Sequence, residues 1–325
     1  MKQNTLSKAA LIYNPRAGTK RKIFPSSVPR VTLEDIKILL KQYQIPVDFI
    51  PTKYPGHATT LAQQVVKKGY KLVLVAGGDG TVGEVTNGLV GTEATLGIIP
   101  LGSFMNVARM LSLPTELEKA IATIKIGRTR KIDLGSVTHL NGQDLAKPYF
   151  FLESAGLGLE AQLHEYLLEL EQGDKKALIK IIKTFFEYYG RKATLKLDQK
   201  EIQTRAILIT ISNGPYMGAS LPIAPKAKLN DHRLTITLFK MSKWELFNYF
   251  YKLIRTKQRY SHKVVTYQAK EVEILTKIKR TVHADARIFG QTPVKFTILP
   301  NALNVITGFP KIDEPSSLVK RTYLD

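Results

Sequence analysis

The stretch that most limits what this chain can fold into is Val75–Val85, VAGGDGTVGEV. A short apolar run, KLVLV (Lys71–Val75), leads into it, and TVGEVTNGL follows with the pattern of a helix starting at Thr81. A glycine turn between strand and helix lets bare backbone N–H groups approach a phosphate at the helix N-terminus. Gly78–Gly83 also matches the dinucleotide pattern G-x-G-x-x-G letter for letter. That pattern requires an acidic residue near the end of the next strand, to hold a ribose hydroxyl. The next strand candidate, TLGIIP (Thr95–Pro100), ends in apolar residues and a proline. Asp79 inside the loop would also repel a pyrophosphate. The NAD reading is therefore rejected.

Around this loop the chain alternates strand and helix, as an α/β layer does. AALIY (Ala9–Tyr13) reads as a buried strand. TLEDIKILLKQY reads as a helix capped by Thr32, and HATTLAQQVVKKG as a helix with Gly69 at its C-terminal cap. Further helices are expected around FMNVARML and over TELEKAIATIKIG, the second ended by Gly127. From RKIDLGSV onward the strands alternate more clearly, as in RAILITIS (Arg205–Ser212), LTITLF, TVHADARIFG and VKFTIL. Helices interrupt them at about 159–171, 175–189 and 243–255. A chain of 325 residues exceeds one ordinary core. The expectation is an α/β domain over 1–134 and a mainly antiparallel β domain over 135–311, with 312–325 returning to cover the first.

Charge narrows the partners. Lys and Arg number 48 against 27 Asp and Glu, a net charge of +21 that favours polyanions. The basic residues cluster at Lys20–Lys22, Arg128–Lys131, Lys175–Lys176, Lys252–Lys263 and Lys277–Arg280. No nucleic-acid-binding module accompanies them, so an anionic membrane surface or ligand is favoured over DNA or RNA. With no Cys, disulfides, thiolate metal sites and cysteine nucleophiles are excluded. No signal-peptide run and no membrane-spanning stretch is visible, so the expectation is a soluble, cytoplasmic protein.

Four polar turns follow the first four strands: YNPRAG, TKYPGHA, GGDGT and PLGS. Open α/β sheets bind ligands at that edge, so together these turns describe a composite nucleotide cradle. No Walker A motif occurs. In order along the chain, LIYNPRAG, TKYPGHA, VAGGDGTVGEVTNGL, GIIPLGSFMNVARML, RKIDLG, SNGPYMGASLPIAPKAKLND and HADARIFGQTPVKFTILPNALNV resemble the diacylglycerol kinase catalytic family. The likeness is to its soluble bacterial lipid kinases, which are related to sphingosine kinases. It implies a Rossmann-like α/β nucleotide-binding domain, a β-sandwich domain and an active site in the cleft between them.

The resemblance also implies roles. Asn14, Pro15, Gly18, Thr52, Gly77, Gly78, Asp79, Gly80, Thr81, Glu84 and Ser103 would contact ATP, with Ser103 standing where the family usually has Thr. Asp79 and Asp133 would lie near a catalytic Mg²⁺, which turns the awkward loop carboxylate into a ligand. Asp231, with the backbone carbonyls of Lys228 and Arg233, resembles a structural Mg²⁺ site, although His232 replaces the usual Gly. Asp285 would accept the proton of the acceptor hydroxyl. The family's Asp-Gly-Glu turn reads Asp285-Ala286-Arg287 here, and Met105 and Asn106 replace an amide and a carboxylate. Two consequences compete: Asp285 serves alone while Arg287 binds an anion, or the enzyme is silent.

SKWELFNYFYKLIRTKQRY places Trp244, Phe247, Tyr251 and Ile254 at helical spacing beside Lys252, Arg255, Lys257 and Arg259. This suits either an interfacial membrane helix or packing on the β domain. The leading expectation is an ATP-dependent kinase of a diacylglycerol-like lipid alcohol, peripheral to the inner face of a membrane. The alternatives are an NAD kinase-like phosphotransferase and a silent nucleotide- and membrane-binding relative. The oligomeric state, monomer or homodimer, stays open.

Overall fold

Short runs of Ala, Val, Leu and Ile, buried on both faces, become parallel strands because helices can cover each side. In the computed structural model these are β1 (Ala9–Tyr13), β2 (Val47–Pro51), β3 (Leu72–Gly77) and β4 (Thr95–Pro100), in the order β2-β1-β3-β4. The structure describes residues 8–17, 31–102, 104–140, 147–159, 174–218, 220–256, 261–285 and 287–309, with 161, 163, 166, 169 and 170.

The helices of this lobe are α1 (Leu33–Gln42), α2 (His57–Lys67), α3 (Asp79–Leu89), α4 (Asn106–Met110) and α5 (Leu117–Ile126). α1 and α5 cover one face of the sheet through Ile36, Leu40, Ile121 and Ile124. α2 and α3 cover the other through Leu61, Val65, Val85 and Leu89. Thr32 caps α1 as expected, exchanging hydrogen bonds with Asp35. Gly69 follows α2 with a φ of +89°. α3 begins at Asp79, two residues before the expected Thr81. Gly78 is the extended N-cap, and its carbonyl accepts from the N–H groups of both Thr81 and Val82.

The second lobe holds β5 (Arg128–His139), β6 (Tyr149–Phe151), β7 (Ser154–Gly158), α6 (Lys176–Glu187), β8 (Arg191–Leu197), β9 (Lys200–Ala206) and β10 (Leu208–Ser212). It continues with β11 (Leu234–Phe239), α7 (Lys243–Thr256), β12 (Val264–Ala269), β13 (Glu271–Leu275), β14 (Thr281–Ala284), β15 (Arg287–Gln291) and β16 (Val294–Thr307). An antiparallel sheet, β12-β11-β10-β7-β14-β15, packs on the β13-β8-β9 part of the larger sheet. Phe151 and Phe296 meet edge-on between them.

Three features depart from the sequence expectation. RAILITIS is two strands, not one: β9 lies in the larger sheet and β10 in the smaller, with Ile207 buried at the crossing. Apolar alternation runs through the crossing because both sheets bury an inner face. The lobes are joined by a shared pair of strands: β5 pairs with β16 from Arg128↔Thr307 to His139↔Val294. The expected boundary at 134/135 thus falls inside β5. Residues 304 and 305 of β16 pair with β4, returning the chain to the first lobe. The expected return of 312–325 lies outside the described residues, as do Lys20–Lys22 and most of the expected 159–171 helix.

Candidate active site

The carboxyl ends of β1–β4 gather the sequence-predicted loops. Asn14 follows β1 and donates from Nδ2 to Thr81 Oγ1 at 3.3 Å, tying the first turn to the glycine loop. Pro15 lies beside it on the exposed turn. Thr52 follows β2 and is held by its N–H to the Tyr13 carbonyl. Glu84 of α3 accepts from the N–H groups of Gly56 (2.7 Å) and Ala58 (3.2 Å), capping α2. Gly78 and Gly102 bring the third and fourth loops into backbone contact: a Cβ on Gly102 would stand 2.8 Å from Gly78 Cα. Gly77 is buried at the end of β3, and Gly80 is exposed on the first turn of α3. Gly18, Ser103 and Ala286 lie outside the described residues.

Asp79 accepts from the N–H groups of Asn106 and Val107, both at 3.1 Å, and so caps α4. Burial pushes its carboxyl above the ordinary range, against the pull of those donors. Met105, just before α4, is forced to a φ of +53°. Asn106 continues across the cleft, donating to Glu153 Oε2 at 2.6 Å and to the Gly218 carbonyl at 2.8 Å.

Asp285 faces Asp79's lobe from the β14–β15 turn, at a φ of +47°. Its carboxylate accepts from Leu152 N (2.9 Å), Glu153 N (2.9 Å) and Ser154 N (3.3 Å). Burial pushes it up to about 6, the three donors pull it down, and the charge of Asp79 adds to the rise. A Cβ on Gly83 would stop 3.6 Å from Asp285 Oδ2 and 3.9 Å from the Tyr149 hydroxyl. Arg287 lies with its guanidinium 5.7 Å over the Tyr149 ring. The tyrosine hydroxyl is raised well above its ordinary value by burial and by Asp285. The structure therefore brings α3 of the glycine loop, Asp285, Tyr149 and Arg287 together, with Asp79 near enough for its charge to act on Asp285.

Asp133 is placed differently. Fully buried in β5, it accepts from His232 N (2.7 Å) and Asn301 N (2.9 Å) and contacts His232 Nδ1 at 3.0 Å. It thereby pins the loop that contains Lys228, Asp231 and Arg233. Asp231 turns back to accept from Arg233 N at 3.1 Å. Among the described residues no three His, Cys, Asp or Glu side chains gather to hold a metal. Mg²⁺ needs no such cage, because one or two carboxylates, phosphates and waters suffice. Asp79 carries hard oxygens of that kind, whereas the fully buried Asp133 is turned to the N–H groups of His232 and Asn301.

Two families match in series. Residues 8–137 match the diacylglycerol kinase catalytic domain. Residues 154–307 match the YegS C-terminal NAD kinase beta sandwich-like domain. The chain belongs to the diacylglycerol kinase catalytic-domain family. A diacylglycerol kinase of Bacillus subtilis (strain 168) is 27% identical over 325 residues, covering 95% of this chain and 99% of that protein. One from Staphylococcus haemolyticus is 26% identical, covering 92% and 88%. The solved structure of a diacylglycerol kinase from Bacillus anthracis superposes with a TM-score of 0.69 at 23% identity, covering 93% and 97%; it speaks to the fold alone.

Sequence reasoning missed Glu153 and Tyr149. Glu153 carries a signal in hindsight, being the lone acid in the apolar run YFFLESAGLG. Tyr149 carries none, since its position opposite Gly83 depends on β6 joining β5.

Proposed function

We propose that this protein is an ATP-dependent lipid kinase that phosphorylates a diacylglycerol-like hydroxyl. The observation that carries the reading is Asp285: a carboxylate near 6, held by three backbone N–H groups, opposite a glycine loop at a helix N-terminus. The N–H groups of Asp79 and Gly80, in the first turn of α3, receive the phosphates of ATP, and Asn14 and Thr52 border them. Mg²⁺, when bound near Asp79, offsets the triphosphate charge. Asp285 takes the acceptor's proton as the new O–P bond forms. The bond from the γ-phosphorus to its bridging oxygen breaks, and ADP leaves. Arg287 sits where it can meet an anionic headgroup. Asp133 and the Lys228–Arg233 loop hold the lobes' shared strands, with the Asp231 carboxylate and the Lys228 and Arg233 carbonyls as candidate donors to a second Mg²⁺.

Peripheral membrane binding fits the surface. Trp244, Phe247 and Tyr251 are exposed on α7, and Ile179, Ile182 and Phe186 on α6. Trp244 touches Phe185 and Phe186 edge-on, joining the two helices into one apolar face rimmed by lysines. Of the same stripe, Lys257, Arg259 and the Ile254 side chain lie outside the described residues. No helix among the described residues is long and apolar enough to cross a membrane.

The test offers labelled ATP and Mg²⁺ with mixed micelles of several lipid alcohols and, separately, with NAD. Labelled lipid supports the reading. Labelled NAD alone replaces it with a dinucleotide kinase, and nucleotide binding without transfer to any acceptor replaces it with a silent relative.

A further inference from the structure

The basic run Lys277–Arg280 takes no part in the cleft. It leads into β14 at the end of the hairpin opposite Asp285. Four residues lie between Arg280 and Asp285, five steps of extended chain or roughly 16 Å. There a cavity of about 210 Å³ is lined by Gly158, Tyr188, Arg191, Lys279, Arg280 and Gln291, among others. Three of these side chains are cations and none is a carboxylate.

Arg280 is the unusual member. It is 5% exposed, and among the described residues no carboxylate lies within 4.0 Å of it. Its Nη2 donates to the Tyr188 hydroxyl, while Nη1 is buried with no hydrogen-bond partner among the described residues. A buried guanidinium without a counter-ion is costly, and a bound anion removes the cost. Arg191 adds a second guanidinium, lying 5.6 Å from the Tyr189 ring.

We propose that this cavity is an oxyanion site for a phosphate group, distinct from the phosphoryl-transfer cleft. Arginine forks suit phosphate geometry. The Tyr188 hydroxyl accepts from Arg280 and keeps its own proton to donate, and the Gln291 amide is a further donor. The cavity equals roughly seven waters in volume and is smaller than a typical site for a drug-sized ligand. It therefore admits a phosphate headgroup but not the body of a lipid. Tyr188 directly follows α6, whose exposed Ile179, Ile182 and Phe186 with Tyr189 would lie against acyl chains. A phospholipid headgroup and free phosphate share the recognition chemistry.

The experiment measures binding by the full chain, which stands whether or not lipid is phosphorylated. Vesicles of phosphatidylcholine, alone or with phosphatidylglycerol, are sedimented with protein, and inorganic phosphate is titrated separately by thermal shift. The variants are Arg280→Met, the rim pair Arg191→Gln/Lys279→Gln, and the equal-charge control Lys67→Gln/Lys119→Gln on the first lobe. The rim pair is expected to lose roughly 30-fold in affinity for phosphatidylglycerol vesicles, against little change for the control pair. Arg280→Met is expected to abolish the response to phosphate. Phosphate protection without a vesicle preference assigns the site to free phosphate. Equal losses in the rim and control pairs, with no effect of phosphate on the parent chain, overturn the proposal. If Arg280→Met does not fold, the rim pair decides alone.

Discussion

Asn106 donates its amide hydrogen to Glu153 at 2.6 Å, and the bond ties α4 of the first lobe to the segment before β7 of the second. The same amide reaches the Gly218 carbonyl, and its oxygen accepts from Ser220 Oγ at 2.7 Å. One side chain, 2% exposed, thus fastens three segments. Asn106→Ala leaves a buried carboxylate and a carbonyl short of a donor. It is expected to cost about 2–4 kcal/mol, read as a lower urea midpoint at unchanged m.

Met105 occupies the left-handed region at a φ of +53°, where a side chain that can hydrogen-bond locally is better tolerated. Met105→Asn is expected to raise the stability by up to about 1 kcal/mol. Calorimetry that shows a lower Tm for this variant would contradict the strain argument.

Gly102 has no room for a methyl group because Gly78 Cα lies 2.8 Å from where it would stand. Backbone against backbone cannot yield as a flexible side chain can. Gly102→Ala is expected to push the two phosphate loops apart and weaken ATP binding by at least about tenfold, as the productive geometry is lost. Equilibrium dialysis with ATP checks this; unchanged affinity removes the cradle assignment.

Asp285, raised to about 6, must be ionised to accept a proton. Turnover is therefore expected to rise with pH through about 6 and then level off. Because the folded-state value lies above the unfolded one, Asp285's contribution to stability is fully present at low pH. It is lost as pH rises through about 6. Asp285→Asn should lower transfer by about 10²–10⁴-fold while ATP still binds. A variant with the parent's rate shows that another group takes the proton.

Trp244 is the chain's one tryptophan and is 57% exposed. Its emission should shift to the blue when vesicles containing phosphatidylglycerol are added. Phe247→Ser should weaken vesicle binding with little loss of stability, since that side chain is 63% exposed. Emission unmoved by any vesicle would detach α7 from the membrane reading.

Much of the first lobe was legible because its signals are local. The Thr32 cap, the Gly69 stop, the apolar periods and the glycine loop each act within a few residues, and the structure places them as read. The family likeness pointed to Asp79 and Asp285, and the structure sets them near enough for the charge of one to act on the other. What no local pattern could supply was their setting. Leu152 and Asp285 are 133 positions apart, and Asp133 and Asn301 are 168 apart. Those bonds exist because β5 pairs with β16 and β7 with β14. The crossing at Ile207 and the burial of Arg280 beside Tyr188 were likewise set by packing. Propensity and capping are properties of a few neighbouring residues, so the sequence by itself determined the elements and the loop chemistry. Burial, the height of a pKa and the partner of a charge depend on which distant strands meet, and only the tertiary structure decided them.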